Sequence, residues 1–276
     1  MKRYRIIPTD FDLRVNHLQD LEKMYNENPT VHLENNIISF NKQLIEYYGE
    51  RRFEQKLENL KDIGSKNYSI ISYHNLFIEQ IRESFINENY YPSLVSACAL
   101  GERILNHLTL DLKDFYSKSP EYLKIKDKKT NSNWNEMIET LKTWEILLPE
   151  VSEELHKLKI LRHKSIHFNE NLYKNLRPYA LEAINSIQKI ISSQFCSFGN
   201  QPWFMTSIPG ERYIKLEYEK NPFIEKYYLP YCILVGYENE LIKVNPPQYQ
   251  DNYEYEKSII TDEKFSELRQ KKINAC

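Results

Sequence analysis

Arg162, His163 and His167 stand close together in the stretch Leu158-Lys159-Ile160-Leu161-Arg162-His163-Lys164-Ser165-Ile166-His167-Phe168. Three of the seven histidines, His156, His163 and His167, fall in this region. So do the cations Lys157, Lys159, Arg162 and Lys164, with no acid among them. A guanidinium keeps its charge and presents a planar fork that fits two phosphate oxygens. An imidazole titrates near neutrality, so it can take or give a proton there. Phosphate chemistry needs both parts. The bland alternative makes Arg162 a cation near a helix C-terminus and His167 a satisfied, half-buried histidine.

The spacing constrains how these residues can meet. Five residues of straight helix turn through about 500°, which leaves Arg162 and His167 about 140° apart. No single face of an unbroken helix holds both. Either the helix ends between them, as the polar Asn169-Glu170-Asn171 suggests, or the site combines two chains. His163 and His167, at i and i+4, do share a face. No acid or cysteine stands at ligand spacing beside them, so neither a metal nor a cofactor is expected.

The helix that carries the motif is expected to start at Pro149, with Glu150, Glu153 and Glu154 near its positive end. Val151, Leu155, Leu158 and Leu161 form its apolar side. Pro178 fits the first turn of the next helix, which carries Ala180, Ala183, Ile184, Ile187, Ile191 and Phe195. Upstream, Tyr68 to Asn87 reads as helix, and Trp134 to Leu147 as a shorter one. The most regular pattern is Leu94, Cys98, Gly101, Leu105, Leu108, Leu112 and Phe115, in alternating steps of four and three. That is one helix face, and Gly101 on it would admit a neighbouring backbone closely. Glu102 is expected to pair with Arg103 or to reach Arg162 across the bundle. The polar, basic connection Tyr122 to Asn133 lies between. Residues 67–197 therefore predict an antiparallel helical bundle.

The flanks differ. Residues 1–66 form a mixed segment: a strand at Arg3 to Ile7, a helix at Leu13 to Tyr25, a strand at Val31 to Ser39, and one helix from Leu44 to Ile63 stopped by Gly64. Residues 198–276 alternate with period two in Tyr213 to Glu219, and carry apolar runs within Tyr227 to Tyr237 and Leu241 to Val244. They predict a small antiparallel β unit, completed by strands from residues 1–40, and a closing helix at Thr261 to Lys272. The fold class is mainly α, a bundle with a small β unit.

Composition narrows the function classes. With 41% hydrophobic and 28% charged residues, the 276-residue chain reads as a soluble protein with a substantial core. No apolar run reaches membrane-span length and the N-terminus lacks a signal-peptide core, so no membrane partner and a cytoplasmic location are expected. Cys98, Cys196, Cys232 and Cys276 lie far apart, as free or buried thiols in a reducing compartment. A net charge of -2 excludes a general nucleic-acid binder, so any RNA contact must come from a local patch.

Residues 67–197 resemble a HEPN domain (higher eukaryotes and prokaryotes nucleotide-binding). The resemblance rests on Arg162-His163-Lys164-Ser165-Ile166-His167, which fits the R-x4–6-H pattern with a polar residue after the arginine, at the junction of two amphipathic helices. It implies a metal-independent endoribonuclease with RNA as substrate, used as a toxin or in antiviral defence. It also implies a homodimer whose two motifs face each other, and an antitoxin or sensor protein as a further partner. On that implication His167 is the general acid/base, Arg162 clamps the phosphate, and His163 assists. Lys159 and Lys164 hold flanking phosphates, and Glu102 supports the site. Some members of the family are inactive, so the alternative is a non-catalytic interaction or nucleotide-binding module.

Overall fold

The computed structural model describes residues 1–7, 14–167, 170–244, 247–256 and 258–275. It is mainly helical, with a small antiparallel sheet. The chain runs through strand β1 (Arg3–Ile6), then helices α1 (Arg14–Glu27), α2 (Val31–Tyr48), α3 (Phe53–Ile63), α4 (Ser72–Ile86) and α5 (Tyr90–Leu112). Helices α6 (Pro120–Ile125), α7 (Trp134–Thr143), α8 (Pro149–Ile166) and α9 (Leu176–Gln194) follow. Strands β2 (Phe204–Met205), β3 (Tyr213–Ile214), β4 (Cys232–Val235), β5 (Glu240–Lys243) and β6 (Gln248–Gln250) precede helix α10 (Asp262–Ala275). Two compact units result, one of residues 10–110 and 128–194, the other of residues 1–9, 111–127 and 195–276. The N-terminal segment is thus divided between them: β1 lies in the second unit, and α1 to α3 lie in the first.

In the helical unit, local chemistry sets most boundaries. Pro149 opens α8, and the Gln194 side chain accepts from the Leu148 N–H at 3.1 Å while donating to the Ile146 carbonyl. Asn133 caps α7 by accepting from the Glu136 N–H. The buried side of α8 runs through Val151, Leu155, Leu158, Leu161 and Ser165, the periodicity of one helix face. Helices α8 and α9 pack antiparallel. Lys164 lies over the Tyr179 ring, Glu154 accepts from Ser186, and Leu148 meets Gln194. The stripe of α5 is buried from Leu94 to Leu112, and Phe115 beyond it is exposed. What approaches Gly101 is side chain rather than backbone: a Cβ there would meet Leu158 Cδ1 and Trp134 Cη2, each at 3.0 Å.

Two expectations for the N-terminal segment fail. Val31 to Ser39 is not a strand but the first half of α2. Thr30 caps it by accepting from the Leu33 N–H at 3.2 Å, and Leu33, Ile37, Phe40 and Leu44 recur on its inner side. Nor is Leu44 to Ile63 one helix. The chain breaks at Gly49 (φ 82°) and Arg52 (φ 56°), both left-handed, before α3 begins. Gly64 does end α3, as expected.

In the other unit the four-stranded sheet has the order β2-β3-β1-β4, all antiparallel, with Arg5 opposite Tyr213 and Arg3 opposite Val235. A strand from the N-terminal segment does complete the sheet. Strand β3 is shorter than its alternation suggests, because Leu216–Tyr218 coils into a 3-10 turn. Phe265 of α10 packs with Met205, Ile208, Tyr213 and Val235. Beside this core Glu211 accepts from Arg269 (2.7 and 2.8 Å) and the Tyr213 hydroxyl (2.8 Å) and forms an ion pair with Arg5 (2.9 Å), a buried Arg–Glu–Arg triad. Strands β5 and β6 form a separate hairpin.

Candidate functional site

The last turn of α8 presents the motif. Arg162 follows the buried Leu161 and lies at the rim of the core, where its Nε forms an ion pair with Glu102 Oε2 of α5 at 2.8 Å. The two side chains are 31% and 26% exposed, so both also face solvent. Of the two partners expected for Glu102, Arg162 is the one it takes. The guanidinium spends its Nε on the carboxylate, which leaves the other edge of its fork for an incoming oxyanion.

The helix ends between Arg162 and His167, the first of the two ways around the 140° problem. Ile166 is its last residue, and His167 has extended backbone (φ -86°, ψ 150°) with its N–H on the His163 carbonyl. Ser165 Oγ donates to the Arg162 carbonyl and the Tyr91 hydroxyl to the Ser165 carbonyl. These bonds satisfy terminal carbonyls that a helix otherwise leaves open. The His163 and His167 rings lie 4.6 Å apart between centroids, tilted by 47°. Both are exposed, so His167 is not a half-buried structural histidine. Among the described residues no three His, Cys, Asp or Glu side chains converge.

A cavity of about 500 Å³ opens beside the motif, lined by Lys159, Ile160, Arg162, His163 and Lys164 on one side and by Ser132, Asn133 and Trp134 on the other. Lys159 donates to Asn135 at 2.8 Å, and Lys164 rests 4.7 Å above the Tyr179 ring. Among the described residues neither lysine has a carboxylate within ion-pair distance, so the rim is cationic. Cys98 lies behind it, donating to the Leu158 carbonyl. Burial pushes its thiol up to about 12, against the pull of the Arg162 charge. It stays a thiol at neutral pH and is no nucleophile.

No protein-family model, curated protein or solved structure matches this chain. The site therefore stands on its own residues. Lys159, Arg162, His163 and Lys164 line the cavity together, Glu102 joins them through Arg162, and His167 lies outside the lining, against the His163 ring. The far wall at Ser132 to Trp134 was not anticipated, because a polar connection gives no periodic signal. Its order comes from side-chain amides: Asn131 Oδ1 accepts from the Asn133 N–H, and Asn106 Oδ1 from the Asn131 N–H at 2.7 Å. Four of the five other histidines have local partners. His17 meets Phe40, His32 meets Asn36, His74 meets Ser69, and His107 meets Tyr73. Among the described residues no helix is long and apolar enough to cross a membrane.

Proposed function

We propose that this chain is a HEPN-type endoribonuclease that cleaves RNA without a metal ion, acting as a toxin or defence effector. The observation that carries the reading is the pairing of Arg162, oriented by Glu102, with the exposed His163 and His167 at the open end of α8. The reaction needs only what these groups can do. An imidazole takes the proton of the ribose 2′-OH, whose oxygen attacks the adjacent phosphorus. The P–O5′ bond breaks, and a second imidazole returns a proton to the leaving 5′-oxygen. The Arg162 fork neutralises the phosphate oxygens as charge builds on them. His167 serves as general acid/base and His163 assists, while Lys159 and Lys164 hold the neighbouring phosphates.

A second copy of the chain completes the proposal, with the two motifs facing each other in a homodimer. The exposed Ile160 and Ile166 on the same helix end are apolar surface for such a contact. The test is incubation of the full chain with total RNA in EDTA beside a His167→Ala control. Cleavage by the parent protein alone, leaving 2′,3′-cyclic phosphate and 5′-OH ends, supports the reading. Activity that disappears with EDTA and returns with a divalent ion overturns its metal-free part. No cleavage of any RNA makes the chain a non-catalytic interaction or nucleotide-binding module.

A further inference from the structure

A second cavity, of about 410 Å³, has Glu102, the ion-pair partner of Arg162, in its lining. Glu102, Arg103, Asn106, His107, Lys129 and Thr130 line it. Arg103 and His107 are at i and i+4 on α5 and therefore project from one face. Both are exposed, and each is braced by an aromatic ring of α4. The Arg103 guanidinium lies 5.3 Å above Phe77, and the His107 ring lies 4.8 Å from Tyr73. Aromatic bracing holds a cation in place while leaving its hydrogen-bond donors unspent.

Lys129 is brought to the same place by Asn106. That side chain accepts from the Asn131 N–H (2.7 Å) and the Thr130 hydroxyl (3.3 Å), and donates to the Asn131 carbonyl (2.9 Å). The 129–131 segment is thereby tied down onto α5. Among the described residues neither Arg103 nor Lys129 has a carboxylate within ion-pair distance, and the one acid in the cavity, Glu102, is already neutralised by Arg162.

We propose that the Arg103–His107–Lys129 cavity is a second phosphate site, which holds the backbone of a single-stranded RNA. The ligand is a phosphodiester strand rather than an isolated anion, because an ion pair joins the linings of the two cationic cavities, Glu102 in one and Arg162 in the other, and a strand alone presents phosphates to both. The choice of ligand rests on the RNA reading above; its test reads binding and does not require cleavage.

The experiment measures affinity of the full chain for a 2′-O-methyl oligoribonucleotide of about twelve nucleotides, a length typical of single-strand sites. It compares the parent protein with Arg103→Ala and Lys129→Ala across a salt series, with inorganic phosphate and a mononucleotide as separate arms. Each substitution should weaken oligonucleotide binding and flatten the salt dependence by about 0.7, the slope of one single-strand phosphate contact. Thermal melting checks that Arg103→Ala folds; Lys129 sits on an exposed connection, so its variant keeps the test decisive. An unchanged affinity and slope in both variants overturns the site, as does an oligonucleotide that the parent protein fails to bind. A loss confined to the mononucleotide or inorganic phosphate overturns the RNA assignment. Oligonucleotide binding that depends on Arg103 and Lys129, in a protein that never cleaves, keeps this site and removes the ribonuclease reading.

Discussion

Glu102 Oε2 sits 2.8 Å from Arg162 Nε, so the carboxylate of one helix orients the guanidinium of another. Orientation and charge then pull in opposite directions. Glu102→Gln should lower RNA cleavage, because the fork loses its anchor, yet should not weaken oligonucleotide binding, because a negative charge leaves a phosphate-binding rim. Equal loss of binding and cleavage would show that the pair merely supports the fold. Single-turnover rates beside equilibrium binding separate the two.

Arg162 itself should tolerate no substitution. Arg162→Ala should cost roughly 10²–10³-fold in cleavage, the effect of removing one donor to a developing oxyanion. Arg162→Lys should remain poor although charge is kept, since a point ammonium cannot reproduce the fork. Cleavage of a defined oligoribonucleotide measures both.

His167→Ala should lose roughly 10²–10⁴-fold, the range for a general acid–base group, and His163→Ala less. Both side chains are exposed, so neither change should alter the melting temperature. A 2′-deoxy residue at the cut site should abolish cleavage by the parent protein, because the nucleophile is gone.

Much of this site was legible in sequence because helix periodicity places residues by arithmetic. The Leu94 to Leu112 stripe and the Pro149 start fix which sides of α5 and α8 face inward, and hence which side carries Glu102 and which carries His163. The far wall and the second cavity were not legible. Asn106 and Asn131 act through hydrogen bonds that leave no period, and the rings that brace Arg103 and His107, Phe77 and Tyr73, come from another helix, α4. The strand expected at Val31 failed for a related reason. Its β-branched residues suit a strand, but the Thr30 cap and inward recurrence from Leu33 to Leu44 favour helix.

Stability should fall with acid through His74. Burial, and after it the charge of His107, holds its imidazole down at about 3. Its folded-state value lies below the unfolded one, so the stabilising effect is complete above about pH 6.5 and is lost as pH falls towards the folded value. By about pH 5 the loss amounts to about 2 kcal/mol. Melting temperatures across that range should show the slope, and His74→Gln should flatten it.

The second unit should show its own acid sensitivity. Burial pushes the Glu211 carboxyl up, but the Arg269 hydrogen bonds and the charges of Arg5 and Arg269 outweigh burial and hold it below the ordinary carboxylate range. A depressed carboxylate stabilises above its unfolded value, about 4.3, and that contribution disappears as pH falls through the folded one. Glu211→Gln should flatten this low-pH limb. Glu211→Ala, which strands two buried arginines, should cost roughly 3–5 kcal/mol in urea unfolding.

Strand β1 lies between β3 and β4, so the first element of the chain is clasped by residues some two hundred positions downstream, Arg5 by Tyr213 and Arg3 by Val235. During synthesis β1 emerges early and must wait. The helical unit, in which α9 packs on α3 and α4, has all its residues out once Gln194 has emerged, whereas the sheet cannot close until Val235 has left the ribosome. The motif-bearing unit should therefore be able to assemble before the sheet closes.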